Sequence, residues 1–124
     1  MKWPNDLLLD GRKVGGILVE ATPSKAICGI GINLTWAPEG AARLDQPRDR
    51  LLERLRVEIE RWTSTSGDRV LDRWRELSDT IGRMVRIELP RRIVEGIAED
   101  IDPNGNLIVG GEHVSAGGLT VLNG

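Results

Sequence analysis

The sequence predicts an α+β fold in which a β-rich first part and two helices precede a small all-β part. Residues 1–47 and 82–124 combine glycine with short apolar runs, which is typical of strands and turns. Residues 48–79 instead repeat apolar side chains at helical spacing. The chain has 124 residues, enough for one ordinary domain or two small ones. We therefore expect two domains, residues 1–80 and residues 81–124.

Strands in the first part are predicted from apolar runs that end at turn residues. Leu7–Leu9 runs into Asp10-Gly11, a dipeptide that favours a hairpin turn. The next two runs, Val14–Glu20 and Ala26–Leu34, are nearly continuous in apolar residues and glycine, which predicts strands covered on both faces. Residues 35–47 show no clean period and are expected to form a loop.

The middle segment predicts two amphipathic helices. Apolar residues share one face of each helix: Leu51, Leu52, Leu55, Ile59 and Trp62 in the first, and Val70, Leu71, Trp74 and Leu77 in the second. A Thr/Ser/Gly stretch separates the helices, and Ser66 or Asp68 is expected to cap the second. Arginines and acidic residues are interleaved along both, which indicates solvated, ion-paired surfaces rather than a nucleic-acid surface.

The last segment predicts short strands separated by Gly-rich and Pro-Asn-Gly turns. Five strands are expected: Met84–Leu89, Ile93–Asp100, Asn106–Val109, Glu112–Ser115 and Leu119–Leu122. This many short strands in one small segment is typical of an SH3-like barrel.

Composition excludes several classes of function. The chain has 17 Lys and Arg against 19 Asp and Glu, so its net charge of −2 gives no electrostatic reason to bind nucleic acid or an anionic membrane. One cysteine, Cys28, excludes an intramolecular disulfide and is expected to be a small buried apolar residue, and the one histidine, His113, is expected at the surface. No apolar stretch approaches the roughly 20 residues of a membrane span. We therefore expect a cytoplasmic protein that binds neither nucleic acid nor membrane.

Charged and amide side chains are placed at the ends of the glycine-rich strands. Lys2 and Asp6 flank a Trp-Pro-Asn tripeptide, Lys13 precedes a Gly-Gly pair, and Asn33 follows the next strand. A lysine offsets the charge of a phosphate or carboxylate, Asp and Asn oxygens suit Mg²⁺, and glycines let a ligand approach the backbone. These residue types alone leave a plainer alternative open, namely surface charges and glycines that merely relieve packing.

Three sequence blocks in this region carry a family resemblance. They are Lys2-Trp3-Pro4-Asn5-Asp6, then Gly11-Arg12-Lys13-Val14-Gly15-Gly16-Ile17-Leu18-Val19-Glu20, then Gly29-Ile30-Gly31-Ile32-Asn33-Leu34. In order and spacing they resemble the biotin protein ligase family, the biotin–[acetyl-CoA-carboxylase] ligases, and residues 82–117 resemble the SH3-like C-terminal domain of that family. The resemblance implies the C-terminal part of a catalytic domain related to class II aminoacyl-tRNA synthetases, followed by that small domain.

The resemblance also implies a two-step reaction with ATP, Mg²⁺ and biotin. The biotin carboxylate attacks the α-phosphate of ATP, which gives biotinoyl-5′-AMP and pyrophosphate. A lysine of a biotin carboxyl carrier protein, such as that of acetyl-CoA carboxylase, then attacks the mixed anhydride and releases AMP.

The resemblance assigns roles on the biotin side of the predicted site to individual residues of this sequence. The resemblance implies that Lys13 is the catalytic lysine, which contacts the biotin carboxylate and α-phosphate region where charge develops. Gly15, Gly16 and Ile17 correspond to backbone that lies against biotin in the family.

The residues on the ATP side of the predicted site come from the first and third blocks. The resemblance implies that Lys2 and Asp6 border ATP and that Asn33 helps to hold the nucleotide or its Mg²⁺. Asp6 and Asn33 are therefore the expected metal ligands. Trp36 falls near the adenine-side loop of the family and could stack on the base, but ordinary packing is the preferred interpretation.

The match departs from the family pattern in one respect. In the family a Gly/Arg-rich loop, of the type Gly-Arg-Gly-Arg-x-Gly-Arg, precedes the Lys-Trp-Pro-Asn-Asp block, whereas this sequence begins at that block. We therefore expect a truncated catalytic sheet, whose exposed edge favours a homo-oligomer. An alternative function is a non-catalytic module that docks a carrier protein without turning over ATP.

Overall fold

A computed structural model describes residues 1–122 and divides the chain into two compact units. The sheet–helix unit comprises Asn5–Ser64, and the C-terminal unit comprises Met1–Pro4 together with the residues from Thr65 onward. These units do not coincide with the predicted division after residue 80, because the first four residues and the second helix group with the C-terminal strands. The last two residues of the predicted domain 81–124 lie outside the described residues.

The sheet–helix unit contains an antiparallel sheet and one helix. The strands are β1 (Asp6–Leu9), β2 (Arg12–Ala21) and β3 (Ala26–Ile32), in the order β1-β2-β3, and the helix is α1 (Arg48–Thr63). The β1–β2 turn takes the predicted residues, since Asp10 and Gly11 both have positive φ, 52° and 75°.

The C-terminal unit contains the second helix and a five-stranded antiparallel sheet. Its elements are α2 (Gly67–Leu77), β4 (Met84–Glu88), β5 (Ile93–Ile101), β6 (Leu107–Val109), β7 (Glu112–Val114) and β8 (Gly118–Val121). The strand order is β7-β6-β5-β4-β8, and within residues 1–122 no pairing of β7 with β8 closes the sheet into a barrel. Two helices and two antiparallel sheets confirm the predicted α+β class.

The helices end close to their predicted limits. Ser66 is at the N-cap of α2 as expected, although its side chain makes no capping hydrogen bond. Asp68 lies in the first turn, where its charge complements the helix dipole. Within residues 1–122, neither helix is both long enough and apolar enough to cross a membrane.

The C-terminal unit has a closed hydrophobic core. Its buried cluster comprises Trp3, Val85, Ile87, Val94, Ala98, Leu107, Val109, Val114 and Leu119, with Trp74 packed against it. Alternate residues of β4 point inward because successive side chains of a strand take opposite faces. The strands therefore supply most of this core, and Trp3 completes it.

The sheet–helix unit buries far less of its apolar surface. Val14 and Ala42 are its buried apolar side chains, and α1 has no buried residue. Leu18 on β2 is 61% exposed, and Cys28 on β3 is exposed as well. The expectation of strands covered on both faces is wrong here, and so is that of a buried Cys28, because this unit contains one helix, which can cover at most one face of the sheet.

Candidate functional site

An irregularity in the pairing of β1 with β2 determines to which face of the sheet Lys13 points. The register shifts by one residue between Leu7 and Leu8, so that Leu8 pairs with Lys13 and Val14 is left over as a β-bulge. Without the bulge Leu8 would pair with Val14, and Lys13 would point to the other face of the sheet. The bulge therefore places Lys13 on the face that carries Leu8 and, two residues earlier, Asp6.

Lys13 and Asp6 meet on that face. The Lys13 Nζ lies 3.3 Å from Asp6 Oδ1, with the two side chains 59% and 33% exposed. An ion pair this open to solvent contributes at most about 1 kcal/mol to stability. Both charges therefore remain accessible to a ligand.

Next to the ion pair, β2 and β3 present bare backbone. Gly16 pairs with Asp6 on one side and Gly31 on the other, so all three share one face. A Cβ added to Gly16 would lie 4.0 Å from Asp6 Oδ1, and one added to Gly31 would meet nothing within 4 Å. We call Gly16 and Gly31 the glycine floor, a surface on which a ligand can approach the main chain closely.

Gly15 and Ile17, the other two residues predicted on the biotin side, make contacts that hold β2 to its neighbours. A Cβ on Gly15 would lie 2.2 Å from the Gly31 carbonyl oxygen, so only glycine permits the β2–β3 pairing at this position. The Ile17 amide donates a hydrogen bond of 2.9 Å to the Asn5 carbonyl. These contacts hold the strands that carry the glycine floor.

Asn33 ties a loop to the strand that carries Lys13. Its backbone amide donates to the Val14 carbonyl at 2.8 Å, and its side-chain Nδ2 donates to the Ala42 carbonyl at 3.0 Å. The Ala42 amide in turn donates to the Lys13 carbonyl at 2.8 Å. Asn33 therefore positions the 41–45 loop beside Lys13, and its Oδ1 is the side-chain atom that remains for a ligand.

An open pocket of about 400 Å³ lies beside this loop. It is lined by Arg12, Thr35, Trp36, Ala37, Ala41, Ala42, Arg43 and Asp45. Trp36 is 72% exposed, so the preferred expectation of ordinary packing is wrong for this residue. An exposed aromatic ring beside two arginines suits a planar, anionic ligand. The arginines were missed at the sequence level, although Arg12 directly precedes Lys13.

Lys2 belongs to the C-terminal unit, whereas the other predicted site residues belong to the sheet–helix unit. The structure therefore brings Asp6 and Lys13 into contact and links Asn33 to Lys13 through Ala42, all within the sheet–helix unit. The half-buried Lys2 is fixed instead through its two chain neighbours, whose backbone groups bond to Asp79 and Thr80.

The expected magnesium ligands offer oxygen atoms but no preformed cage. Within residues 1–122 no three His, Cys, Asp or Glu side chains cluster to hold a metal. Magnesium is commonly bound through one or two carboxylates together with substrate phosphates, and it does not need such a cluster. Asp6 carries a carboxylate and Asn33 an amide oxygen, the types of oxygen atom that Mg²⁺ prefers.

The single histidine belongs to a turn rather than to this site. His113 is at the surface, as expected, and its Nδ1 lies 2.7 Å from Oδ2 of the buried Asp102. The hydrogen bond from His113, helped by bonds from Asn104 and Asn106 and opposed by burial, lowers the pKa of Asp102 from 3.8 to about 2. Asp102 therefore stays ionised and organises the turn between β5 and β6.

Family models match both ends of the chain. One described as the Biotin/lipoate A/B protein ligase family matches residues 1–35, and one described as the Biotin protein ligase C terminal domain matches residues 80–117. The first match covers all three sequence blocks. The second begins one residue before the predicted boundary at 81.

Curated relatives and solved structures agree with these matches. A biotin–[acetyl-CoA-carboxylase] ligase of Mycobacterium tuberculosis is 40% identical over 98% of this chain and 53% of the relative. The bifunctional ligase/repressor BirA of Escherichia coli is 30% identical over 88% of this chain and 40% of the relative. This chain thus spans about half the length of the curated relatives it matches.

Solved structures share the fold at lower sequence identity. The apo biotin protein ligase of Aquifex aeolicus matches with a TM-score of 0.76 at 21% identity, over 98% of this chain and 64% of that one. The same enzyme in complex with biotin and ATP matches with a TM-score of 0.73 at 22% identity, over 100% of this chain and 62% of that one.

Proposed function

Since the chain belongs to the biotin protein ligase family, we propose that its glycine floor and Lys13–Asp6 ion pair form part of a site that activates biotin with ATP. The observation that carries the proposal is the bulge at Val14, which places the Lys13 ammonium 3.3 Å from Asp6 and beside open backbone. A cation and a carboxylate at a bare backbone surface match the needs of a reaction between a carboxylate and a phosphate.

In the first step, a biotin carboxylate oxygen attacks the α-phosphorus of ATP. The bond from that phosphorus to the bridging oxygen breaks, and pyrophosphate leaves with the bonding electrons. Two anions must approach each other, so Lys13 offsets their repulsion and the charge that develops on the phosphoryl oxygens. Asp6 holds the Lys13 ammonium in place, and the glycine floor lets the reacting groups lie close to the sheet.

The second step transfers biotin to a carrier. The uncharged amine of a lysine on a biotin carboxyl carrier protein attacks the acyl carbon of biotinoyl-AMP, AMP leaves, and the amine loses a proton to give the amide. The name of the Mycobacterium tuberculosis relative, a biotin–[acetyl-CoA-carboxylase] ligase, supports a carrier protein of that carboxylase as the partner.

The nucleotide is proposed to extend from the ion pair toward the Trp36 pocket. Ala42, which lines the pocket, is also hydrogen-bonded to Lys13 and Asn33, so pocket and ion pair share one supporting residue. The exposed Trp36 ring offers a stacking surface for the base. Asp6 and Asn33 would hold Mg²⁺, which supplies charge neutralisation for the phosphates of ATP.

A direct assay tests the proposal. The 124-residue chain is incubated with ATP, Mg²⁺ and biotin, and biotinoyl-AMP is measured by mass spectrometry. A carrier domain is then added, and its biotinylation is measured with labelled streptavidin. Formation of both products supports the ligase. Absence of biotinoyl-AMP together with measurable affinity for the carrier domain would instead support the non-catalytic docking module.

The proposal includes self-association through the open edge of β3. This strand is at the edge of its sheet, and its Ile27 and Cys28 are exposed. Such an edge offers unpaired backbone groups to a second copy of the chain. Sedimentation velocity should show a dimer that Ile27→Lys weakens, and a monomer at every concentration would contradict this part.

A further inference from the structure

Two carbonyl groups at the bulge in β2 accept hydrogen bonds from outside the β1–β2 pair. A bulge disrupts the ladder locally, so the backbone around it needs other partners. The Lys13 carbonyl accepts a bond of 2.8 Å from the Ala42 amide, and the Val14 carbonyl accepts one of 2.8 Å from the Asn33 amide. The backbone at the bulge is therefore held by one residue just after β3 and by one residue of the loop beyond it.

The side chain of Asn33 joins these two donors to each other. Its Nδ2 donates a bond of 3.0 Å to the carbonyl of Ala42, the residue whose amide holds Lys13. The Leu44 amide donates a bond of 2.8 Å to the Asn33 carbonyl, so the same stretch of loop is tied to Asn33 twice. Ala42 thus has Lys13 as the partner of its amide and Asn33 as the partner of its carbonyl.

These bonds lie in the most buried part of the sheet–helix unit. Val14 and Ala42, the two buried apolar side chains of the unit, are 8% and 3% exposed. A polar group that loses its partner in such a place costs free energy, because water cannot readily take the partner's position. Loss of the Asn33 donor should therefore displace Ala42 and release the Lys13 carbonyl. A change of register by one residue would then turn Lys13 to the opposite face of the sheet.

We propose that Asn33 is a positioning residue for the reaction between biotin and ATP, which acts by holding Ala42 against the bulge. Lys13 thereby stays beside Asp6. The inference rests on the proposed function, which gives Lys13 its role in the reaction. It goes further, because the magnesium role uses the amide oxygen of Asn33, whereas the positioning role uses the nitrogen of the same amide.

Two substitutions separate the nitrogen of Asn33 from its oxygen. Asn33→Asp replaces Nδ2 by a second oxygen, which repels the Ala42 carbonyl, but it keeps oxygen ligands that suit Mg²⁺. Asn33→Ala removes both atoms. Gln46→Glu is the matched control, because it makes the same change from amide to carboxylate at an exposed residue of the same unit.

The position of Lys13 is measured without any ligand, by NMR of chains that contain ¹³C-labelled lysine. The sequence has three lysines, so three side-chain signals are expected, and Lys13→Ala identifies one of them. Asp6→Asn shows where this signal lies when the ion pair is lost. Both substitutions of Asn33 should move the Lys13 signal toward that position and leave the other two in place, and Gln46→Glu should move none. A loss of folded protein would instead move all three signals.

The rate of biotinoyl-AMP formation connects this position to the reaction. Both substitutions of Asn33 should lower kcat about tenfold, the upper range for the loss of one neutral hydrogen bond. The Mg²⁺ concentration that gives half the maximal rate should not rise for Asn33→Asp, which keeps its oxygen ligands. A role in metal binding alone would leave kcat of Asn33→Asp close to that of the wild type.

The possible outcomes distinguish this inference from the proposed function. An Asn33→Asp variant that keeps the wild-type Lys13 signal, or one that keeps the wild-type kcat, would overturn the positioning role alone. A wild-type chain that forms no biotinoyl-AMP would overturn the proposed function and the effect of Asn33 on the reaction. The lysine signals would still show in that case whether Asn33 holds Lys13 beside Asp6.

Discussion

The two units of this chain use their apolar residues in different ways. The C-terminal unit closes nine side chains into a buried cluster, whereas the sheet–helix unit buries two apolar side chains and leaves Leu18 61% exposed. Each unit consists of an antiparallel sheet and one helix. The difference shows that similar elements can bury their apolar side chains to very different extents.

The residues proposed to take part in the reaction lie in the unit that buries less of its apolar surface. Asp6, Lys13 and the glycine floor lie on the unit with the open surface. The best-satisfied buried polar residue, Asp102, lies in the other unit and supports a turn. Substitutions should therefore affect stability most in the C-terminal unit and ligand handling most in the sheet–helix unit.

The largest effect on stability is expected from Ile87→Ala. Ile87 is completely buried, so truncation leaves a cavity and should lower the free energy of unfolding by about 2–5 kcal/mol. Leu52→Ala, at a side chain 49% exposed on α1, is the comparison in the other unit and should cost less than about 1 kcal/mol. Urea unfolding followed by circular dichroism measures both. Equal losses would remove the distinction between the units.

Two glycines in adjacent strands should respond differently to alanine. Gly15→Ala would bring a Cβ within 2.2 Å of the Gly31 carbonyl oxygen, so β2 and β3 must move apart at a cost of about 1–3 kcal/mol. Gly31→Ala meets nothing within 4 Å and should leave the thermal midpoint nearly unchanged while it weakens biotin or ATP binding. Thermal denaturation and calorimetry compare the two. A stable Gly31→Ala variant with unaltered affinity for both ligands would exclude the glycine floor as a binding surface.

Trp36→Ala separates ligand binding from packing. The ring is 72% exposed, so its removal should leave stability unchanged. If a base stacks on it, ATP should bind more weakly by about 1–3 kcal/mol. Fluorescence or calorimetric titration with ATP measures the change. A loss of stability without a loss of affinity would return Trp36 to a packing role.

The smallest effect concerns acid stability in the C-terminal unit. The pKa of Asp102 is lowered to about 2, so folding favours its ionised form. Its contribution to stability is complete above the unfolded pKa of about 3.8 and is lost as the pH falls through the folded value. Asp102→Asn should therefore flatten the fall in stability between these two pH values, which urea unfolding at a series of pH values measures. An unchanged slope would contradict the role given to the carboxylate.

Much of the fold could be predicted from the sequence, because local signals determine it. The Asp10-Gly11 turn, the helical spacing from Leu51 to Trp62 and the short strands after residue 82 all correspond to elements of the structure. Exposure was harder to predict. An apolar strand such as β3 looks the same in sequence whether or not another element covers it, so Cys28 was expected to be buried.

The candidate site was predictable in its residues but not in its geometry. The family resemblance selected Lys13 and Asp6, yet only the register shows that a bulge at Val14 turns them to one face. Nothing local in the sequence indicates that Trp3 packs among C-terminal strands, since that contact joins residues 102 positions apart. Long-range contacts of this kind depend on the whole fold.

The most direct test of the account is the rate of biotinoyl-AMP formation by Lys13→Ala. Removing the ammonium that offsets the charge of the reacting anions should lower this rate by about 100-fold or more while the fold is kept. Lys25→Ala, at the turn between β2 and β3, is the matched control and should react like the wild type. A Lys13→Ala variant that forms biotinoyl-AMP at nearly the wild-type rate would contradict the central claim.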